Sequence, residues 1–173
     1  KVVEYRNECR QILFPDGHRG IEIKPPDINL SDVAFTVVFD ESDPHDANHG
    51  YIRFGLSAVK GVGEKAIEAI IAARNKSEPF ESLYDFCERV PLSAVNRTTV
   101  DALIKCGAFD TVHGIDQRAG MVEALDGAIQ AGQSAQADRE AGQLNFFETP
   151  GGDQEAVAER HSPAIRLPEV PSW

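Results

Sequence analysis

The sequence predicts an α+β fold, mostly α: a short antiparallel β-hairpin, then a helical domain, then a disordered C-terminal linker. Three observations predict it. Residues 33–39, Val-Ala-Phe-Thr-Val-Val-Phe, and 51–55, Tyr-Ile-Arg-Phe-Gly, are β-branched and aromatic runs on either side of a polar loop. From Leu56 the apolar residues change to helical spacing. After Phe147 the composition turns to Gly, Pro, Glu and Ala, with too few large apolar groups to build a core.

The elements follow in order. Residues 1–13 read as a helix with Val2, Tyr5, Cys9 and Ile12 on one face. Phe14-Pro-Asp-Gly-His-Arg-Gly20 is a turn-rich loop. Ile21–Lys24 is a short extended piece ended by Pro25-Pro26. The two strands come next, as a hairpin. Glu64–Arg74 sets Ala66, Ile67, Ile70 and Ile71 on one stripe. Pro79-Phe80 breaks the chain, and Ser82–Arg89 carries Leu83, Phe86 and Cys87. Arg97–Lys105 is a helix that Gly107 is placed to stop. Asp116 is positioned to cap a long helix running to about residue 141, with Ala119, Val122, Leu125 and Ile129 inward. Its Ala/Gln-rich end predicts weakening contacts. These elements divide the chain into 1–55, 56–112, 113–147 and 148–173.

Net charge is −11, which taken whole disfavours a nucleic-acid partner. Its distribution matters more. Residues 51–76 carry Arg53, Lys60, Lys65, Arg74 and Lys76 against Glu64 and Glu68, a local +3, whereas 113–173 carries −6. One basic spot survives this balance; a large basic groove does not. No apolar stretch reaches the length of a membrane span. Cys9, Cys87 and Cys106 form no CxxC pair, so reduced cytoplasmic thiols are expected and not a zinc site. His18, His45, His49, His113 and His161 have no metal-ligand spacing and read as solvated. Lys1 at the start and Trp173 after a proline-rich run predict a segment of a longer chain.

The most specific segment is Leu56-Ser-Ala-Val-Lys-Gly-Val-Gly-Glu-Lys-Ala-Ile-Glu-Ala-Ile-Ile71. A short helix ending near Lys60, a Gly61-Val62-Gly63 turn and a second helix from Glu64 make a helix-hairpin-helix. The glycines allow close approach of another molecule, and Val62 can pin the turn from inside. Free N–H groups at the second helix's start form an anion site that suits a DNA phosphate. Lys60 and Lys65 flank it and add attraction. Such contacts position duplex DNA without reading its sequence. The bland alternative is a plain glycine turn between two core helices. Residues 100–110 resemble a degenerate second copy that lacks the second glycine, so a structural role with at most a secondary DNA contact is expected for it.

With these residues in place, the chain resembles the alpha subunit of bacterial DNA polymerase III, of the C-family polymerases. The resemblance rests on Glu8-Cys9-Arg10, Pro25-Pro26-Asp27-Ile28-Asn29, the hairpin run, Ala69–Arg74, Phe80–Arg89, Asn96-Arg97 and Leu103–Asp110, in family order over about residues 1–147. It implies that 1–55 is the end of the fingers domain and 56–112 the helix-hairpin-helix domain that holds duplex DNA. It implies a parent DNA polymerase that uses magnesium ions, together with other replicase subunits. No cofactor is expected in this segment and no catalytic residue, since the family's catalytic aspartates lie upstream. None of Asp16, Asp27, Asp32 or Asp40 is taken as a metal ligand, and Asp27 reads as a structural turn residue. One departure is the loop at Phe14–Arg19, longer than the family's usual passage.

Gln143-Leu144-Asn145-Phe146-Phe147 resembles the sliding-clamp-binding motif of that family, commonly Gln-Leu-x-Leu-Phe. The resemblance implies that Gln143 hydrogen-bonds at the edge of a groove on the clamp (the beta subunit). Leu144, Phe146 and Phe147 would fill its apolar pockets, with the peptide extended. The bland alternative has these side chains docked on their own helices. Two other identities stay open: the error-prone paralogue of the same polymerase family, and a non-enzymatic repair accessory protein with paired hairpins.

Overall fold

The computed structural model describes residues 2–17, 19–39 and 50–148. Helix α1 spans Val2–Gln11. Three short strands follow, β1 (Glu22–Lys24), β2 (Thr36–Val38) and β3 (Tyr51–Arg53). A single 3₁₀ turn at Leu56–Ala58 precedes α2 (Glu64–Lys76), α3 (Leu83–Arg89), α4 (Arg97–Lys105) and α5 (Asp110–His113). A second 3₁₀ turn, Ile115–Gln117, leads into the long α6 (Arg118–Glu148). The chain is mostly helical with one small sheet, as the sequence predicts. The linker beyond Glu148, like the loop at 40–49, lies outside the described residues.

The expected hairpin forms: β2 pairs antiparallel with β3, Val37 opposite Ile52. It is part of a larger unit, because β1 pairs parallel with the other edge of β3 and the strand order is β1-β3-β2. Such a parallel partner carries no local signal; its register depends on the return path of the chain. The second strand is shorter than predicted. Val33 turns its carbonyl to the Ser57 N–H (3.0 Å) instead of to a ladder, and Asp32 does the same for Leu56 (2.9 Å). On the apolar face predicted for α1, Tyr5 is 62% exposed.

The core lies among the helices. Leu56, Val59 and Val62 meet Ala66, Ile67 and Ile70 of α2, then Phe86, Leu103, Ile104, Phe109, Met121 and Leu125. Phe86 is its centre, edge-on to Phe80 (5.1 Å) and to Phe109 (5.2 Å). Ser82 caps α3 by accepting from the Asp85 N–H (3.0 Å), and Asn96 caps α4 by accepting from Thr99 (3.0 Å). The end of α4 takes the form its sequence predicts. The Gly107 N–H bonds the Ile104 carbonyl (3.0 Å) and the Ala108 N–H bonds that of Leu103 (2.9 Å), with Gly107 at φ 88°.

Pro25–Ser31 stitch the sheet to the helices. Buried Asp27 accepts from the N–H groups of Asn29 (2.7 Å) and Leu30 (3.1 Å) and from the Thr111 hydroxyl (2.7 Å). Asn29 exchanges two hydrogen bonds with the Phe80 backbone (2.7 and 2.9 Å). Ile28 is fully buried in the helical core. Asp27 is thus a structural residue, as expected.

Three expectations about the C-terminal half change. Asp116 sits inside the 3₁₀ turn and does not cap α6, which begins two residues later. The Ala/Gln-rich stretch stays packed as far as Gln136 and weakens only beyond it, where residues 137–142 are exposed. Gly132 lies so close to α3 that a Cβ there would stand 2.4 Å from the Cys87 carbonyl oxygen. Gln136 donates to the Cys87 and Val90 carbonyls (both 2.9 Å), satisfying acceptors that the end of α3 leaves open. Small residues are there because the helices approach closely. The helical backbone also continues past 141 to Glu148, since Pro150 is the first proline in its path and lone Gly142 is tolerated within a helix.

His113 is not simply solvated. It is half-buried, and its Nε2 accepts from the Leu83 N–H (2.9 Å), which fills one of the open donors at the start of α3. That bond needs the unprotonated nitrogen, and burial holds the imidazole below its ordinary value of 6.5. Between the two values the unfolded chain binds more protons, so stability rises with pH. The contribution is complete above about 6.5 and is lost as pH falls from there through the lower folded value. Urea midpoints should therefore drop between pH 7.5 and 5.5, and His113→Gln should flatten that drop. An equal drop in both chains would remove His113 as its source.

Candidate nucleic-acid interface

The predicted hairpin is built from an unusually short first arm. Leu56–Ala58 makes one 3₁₀ turn and not a helix reaching Lys60, with Leu56 and Val59 in the core. The chain then reverses over Val59–Val62, where the Val62 N–H donates to the Val59 carbonyl (3.2 Å). Gly61 is the third residue of this turn at φ 92°, the left-handed position that a type II turn requires there. Val62 is packed inward and anchors the loop, as expected. Its side chain is buried and its N–H is used, so it faces no ligand directly.

Gly63 differs from Gly61. It is the N-cap of α2 at φ −83°, ψ 161°, a conformation open to most residues. A Cβ there would meet nothing within 4 Å. Its carbonyl accepts from Ala66 (3.0 Å) and Ile67 (3.1 Å), and no side chain caps the helix. The N–H groups of Gly63, Glu64 and Lys65 thus have no acceptor among the described residues. They sit at the positive end of a 13-residue helix, on exposed residues. Neither backbone strain nor packing inside the chain demands glycine here.

The basic island is smaller than the sequence count. Arg74 turns inward and donates to the carbonyls of Ile28 (3.2 Å) and Ser31 (2.9 Å). Arg53 is 6% exposed and donates to the Pro25 carbonyl (3.2 Å). Lys76 lies at the far end of α2, roughly 18 Å along its axis from the turn. Only Lys60 and Lys65 remain beside the turn, both exposed, with Glu64 between them in the first helical turn. An arginine count cannot separate a cation that meets a ligand from one that ties down backbone carbonyls.

Helix α4 supports the turn from behind, which the linear sequence did not reveal. The buried Thr99 hydroxyl lies 3.3 Å from the Gly61 carbonyl as its donor. Ala102 would be 3.7 Å from a Cβ at Gly61. Their only sequence signal is small size on a helix facing the hairpin.

The degenerate second copy is closed. Arg118 forms a two-pronged ion pair with Asp110, Nε to Oδ1 at 2.8 Å and Nη2 to Oδ2. This pair covers Gly107, where a Cβ would strike it. A structural role follows, as expected. The Cys87 thiol is buried and is pushed up to about 12 by burial and by Glu88, so it is inert. Gln143, Leu144, Phe146 and Phe147 have helical backbone within α6, and their side chains lie outside the described residues. Among the described residues no three His, Cys, Asp or Glu side chains converge to hold a metal ion, and no helix is long and apolar enough to cross a membrane.

Known proteins are similar to this chain in sequence. DNA polymerase III subunit alpha of Neisseria meningitidis serogroup B is 39% identical over 173 residues, all of this chain and 13% of the relative. That of Pseudomonas aeruginosa is 36% identical over 160 residues, 85% of this chain and 12% of the relative. That of Escherichia coli K12 is 33% identical over 169 residues, 98% of this chain and 13% of the relative. The chain thus spans only 12–13% of the length of these relatives. Residues 20–120, well over half of the sequence, match the family described as helix-hairpin-helix motif, with the turn at Gly61–Gly63 inside the matched stretch; the chain belongs to that family.

Proposed function

We propose that this chain grips the phosphate backbone of duplex DNA, without sequence preference, as one part of the alpha subunit of a bacterial replicative DNA polymerase working in the cytoplasm. The observation that carries the reading is the open start of α2. Three N–H groups without acceptors, on a helix end free of any cap, sit behind a residue with no side chain. That combination attracts an anion and lets it come close. The family match and the alpha-subunit relatives make a DNA phosphate the natural anion. With two flanking lysines on a chain of net charge −11, the grip is one contact among several in a larger enzyme. On this reading, nucleotide addition and the magnesium it uses belong to other parts of that enzyme.

Tethering is the second part of the proposal. Gln143, Leu144, Phe146 and Phe147 form the clamp-binding peptide, which engages the sliding clamp in extended form and leaves the end of α6 to do so. Other replicase subunits then complete the assembly around the DNA.

Gly63→Asp separates binding from folding. Aspartate is a better N-cap than glycine, so stability should hold or rise by a few tenths of a kcal/mol. The same carboxylate would occupy the phosphate position, and duplex affinity at low salt should fall about tenfold, ~1.4 kcal/mol. Unchanged affinity in a folded variant would remove the hairpin from DNA binding. In parallel, Leu144→Ala with Phe147→Ala should leave duplex affinity intact and abolish retention on an immobilised sliding clamp; full retention would refute the tether.

A further inference from the structure

A second cationic site lies at the other end of the sheet. The loop after α1 folds back on the helix. The Gly20 N–H bonds the Ile12 carbonyl (2.7 Å), the Ile21 N–H bonds that of Cys9 (2.9 Å), and Leu13 pairs with Arg19 in an antiparallel bridge. This return brings Arg19 beside Arg6 and Arg10 around a groove of about 390 Å³ whose floor is Ile21–Ile23. The loop that departs from the family pattern is thus what delivers the third arginine.

The arrangement is not one that folding alone favours. Arg6 and Arg10 are one helical turn apart, and like charges at that spacing cost a few tenths of a kcal/mol. On α1 the carboxylates Glu4 and Glu8 lie roughly 120–160° round the helix from these arginines, so charge is segregated by face. Among the described residues none of the three guanidiniums is ion-paired. The one carboxylate that lines the groove, Glu22, is paired with Lys24 (3.7 Å). Three unpaired forked donors therefore converge on one groove of a strongly acidic chain.

We propose that this groove, lined by Arg6, Arg10 and Arg19, binds phosphoryl groups, either those of a DNA strand or those of a free polyphosphate such as a nucleoside triphosphate carries. Planar guanidinium forks suit two oxygens of one phosphoryl group better than a lysine point charge does. Half-buried Ile21 and Ile23 give the groove an apolar side, while the three guanidiniums are exposed and reachable from solvent.

The test follows the arginine Nε–H resonances of the 173-residue chain while inorganic tripolyphosphate, and separately a short DNA duplex at low salt, is added. The resonances of Arg6, Arg10 and Arg19 should move together with tripolyphosphate. R10A/R19A should weaken that binding at least tenfold, with partial recovery in R10K/R19K. If duplex moves the same resonances, and R10A/R19A lowers the salt slope of duplex binding by about 2, the natural source is the DNA backbone. A response to tripolyphosphate alone assigns a free polyphosphate. Resonances that stay still with both probes, or an R10A/R19A chain that binds both as tightly as the parent, overturn the proposal. Gly63→Asp should leave the tripolyphosphate shifts in place, so the hairpin and the groove fail or stand separately.

Discussion

Replacing Phe86 with alanine should destabilise the fold by about 3–5 kcal/mol, the range for a fully buried phenylalanine whose cavity collapses only in part. Phe86 has no exposed surface. Its ring is the middle of three edge-on aromatics, with Phe80 on the segment that ends the α2–α3 connection and Phe109 beyond the end of α4. The loss therefore falls on the contacts that join α2, α3 and α4, and through them on the support of the hairpin turn. Phe86→Leu keeps most of the volume and should cost under half as much. Denaturant unfolding of the two variants measures both numbers; a Phe86→Ala loss below ~1 kcal/mol would show that these elements do not share one cooperative core.

Asp27→Ala should cost about 2–3 kcal/mol, less than Phe86→Ala although Asp27 is only 1% exposed. Hydrogen bonds to a carboxylate contribute about 1.5–3 kcal/mol each where they are sealed from water. Two of the three donors, on Leu30 and Thr111, belong to exposed residues and can turn to solvent, so the full sum is not lost. Asn29 is the least exposed of the three, half-buried, and it also holds the Phe80 backbone. The substitution should loosen 25–31 and raise amide exchange there and at Phe80, while α6 stays protected. Uniform loss of protection across all helices would instead make Asp27 part of the global core. A polymerase-type metal role would give a different signature, with stability unchanged.

Much of the fold was legible in the sequence because its signals are local. Helices read at 64–74, 82–89 and 97–105 followed from apolar spacing, and the end of the last from Gly107, whose lack of a side chain acts within a few residues; the capping bonds of Ser82 and Asn96 came from the structure. The hairpin turn followed for the same reason, since Gly61 needs its left-handed φ whatever surrounds it.

What the tertiary structure decided is everything that depends on residues far apart in the chain. It added β1 to the sheet, turned Arg53 and Arg74 inward to backbone carbonyls, set Gly132 against Cys87 and gave His113 a helix to cap. It also divided the two hairpin glycines by cause. The sequence alone determined that a tight turn stands before α2, because backbone sterics are local. Only the folded chain shows that Gly61 is held by the turn while Gly63 is free inside the molecule, because the space a side chain would fill is bounded by neighbours that no local pattern encodes.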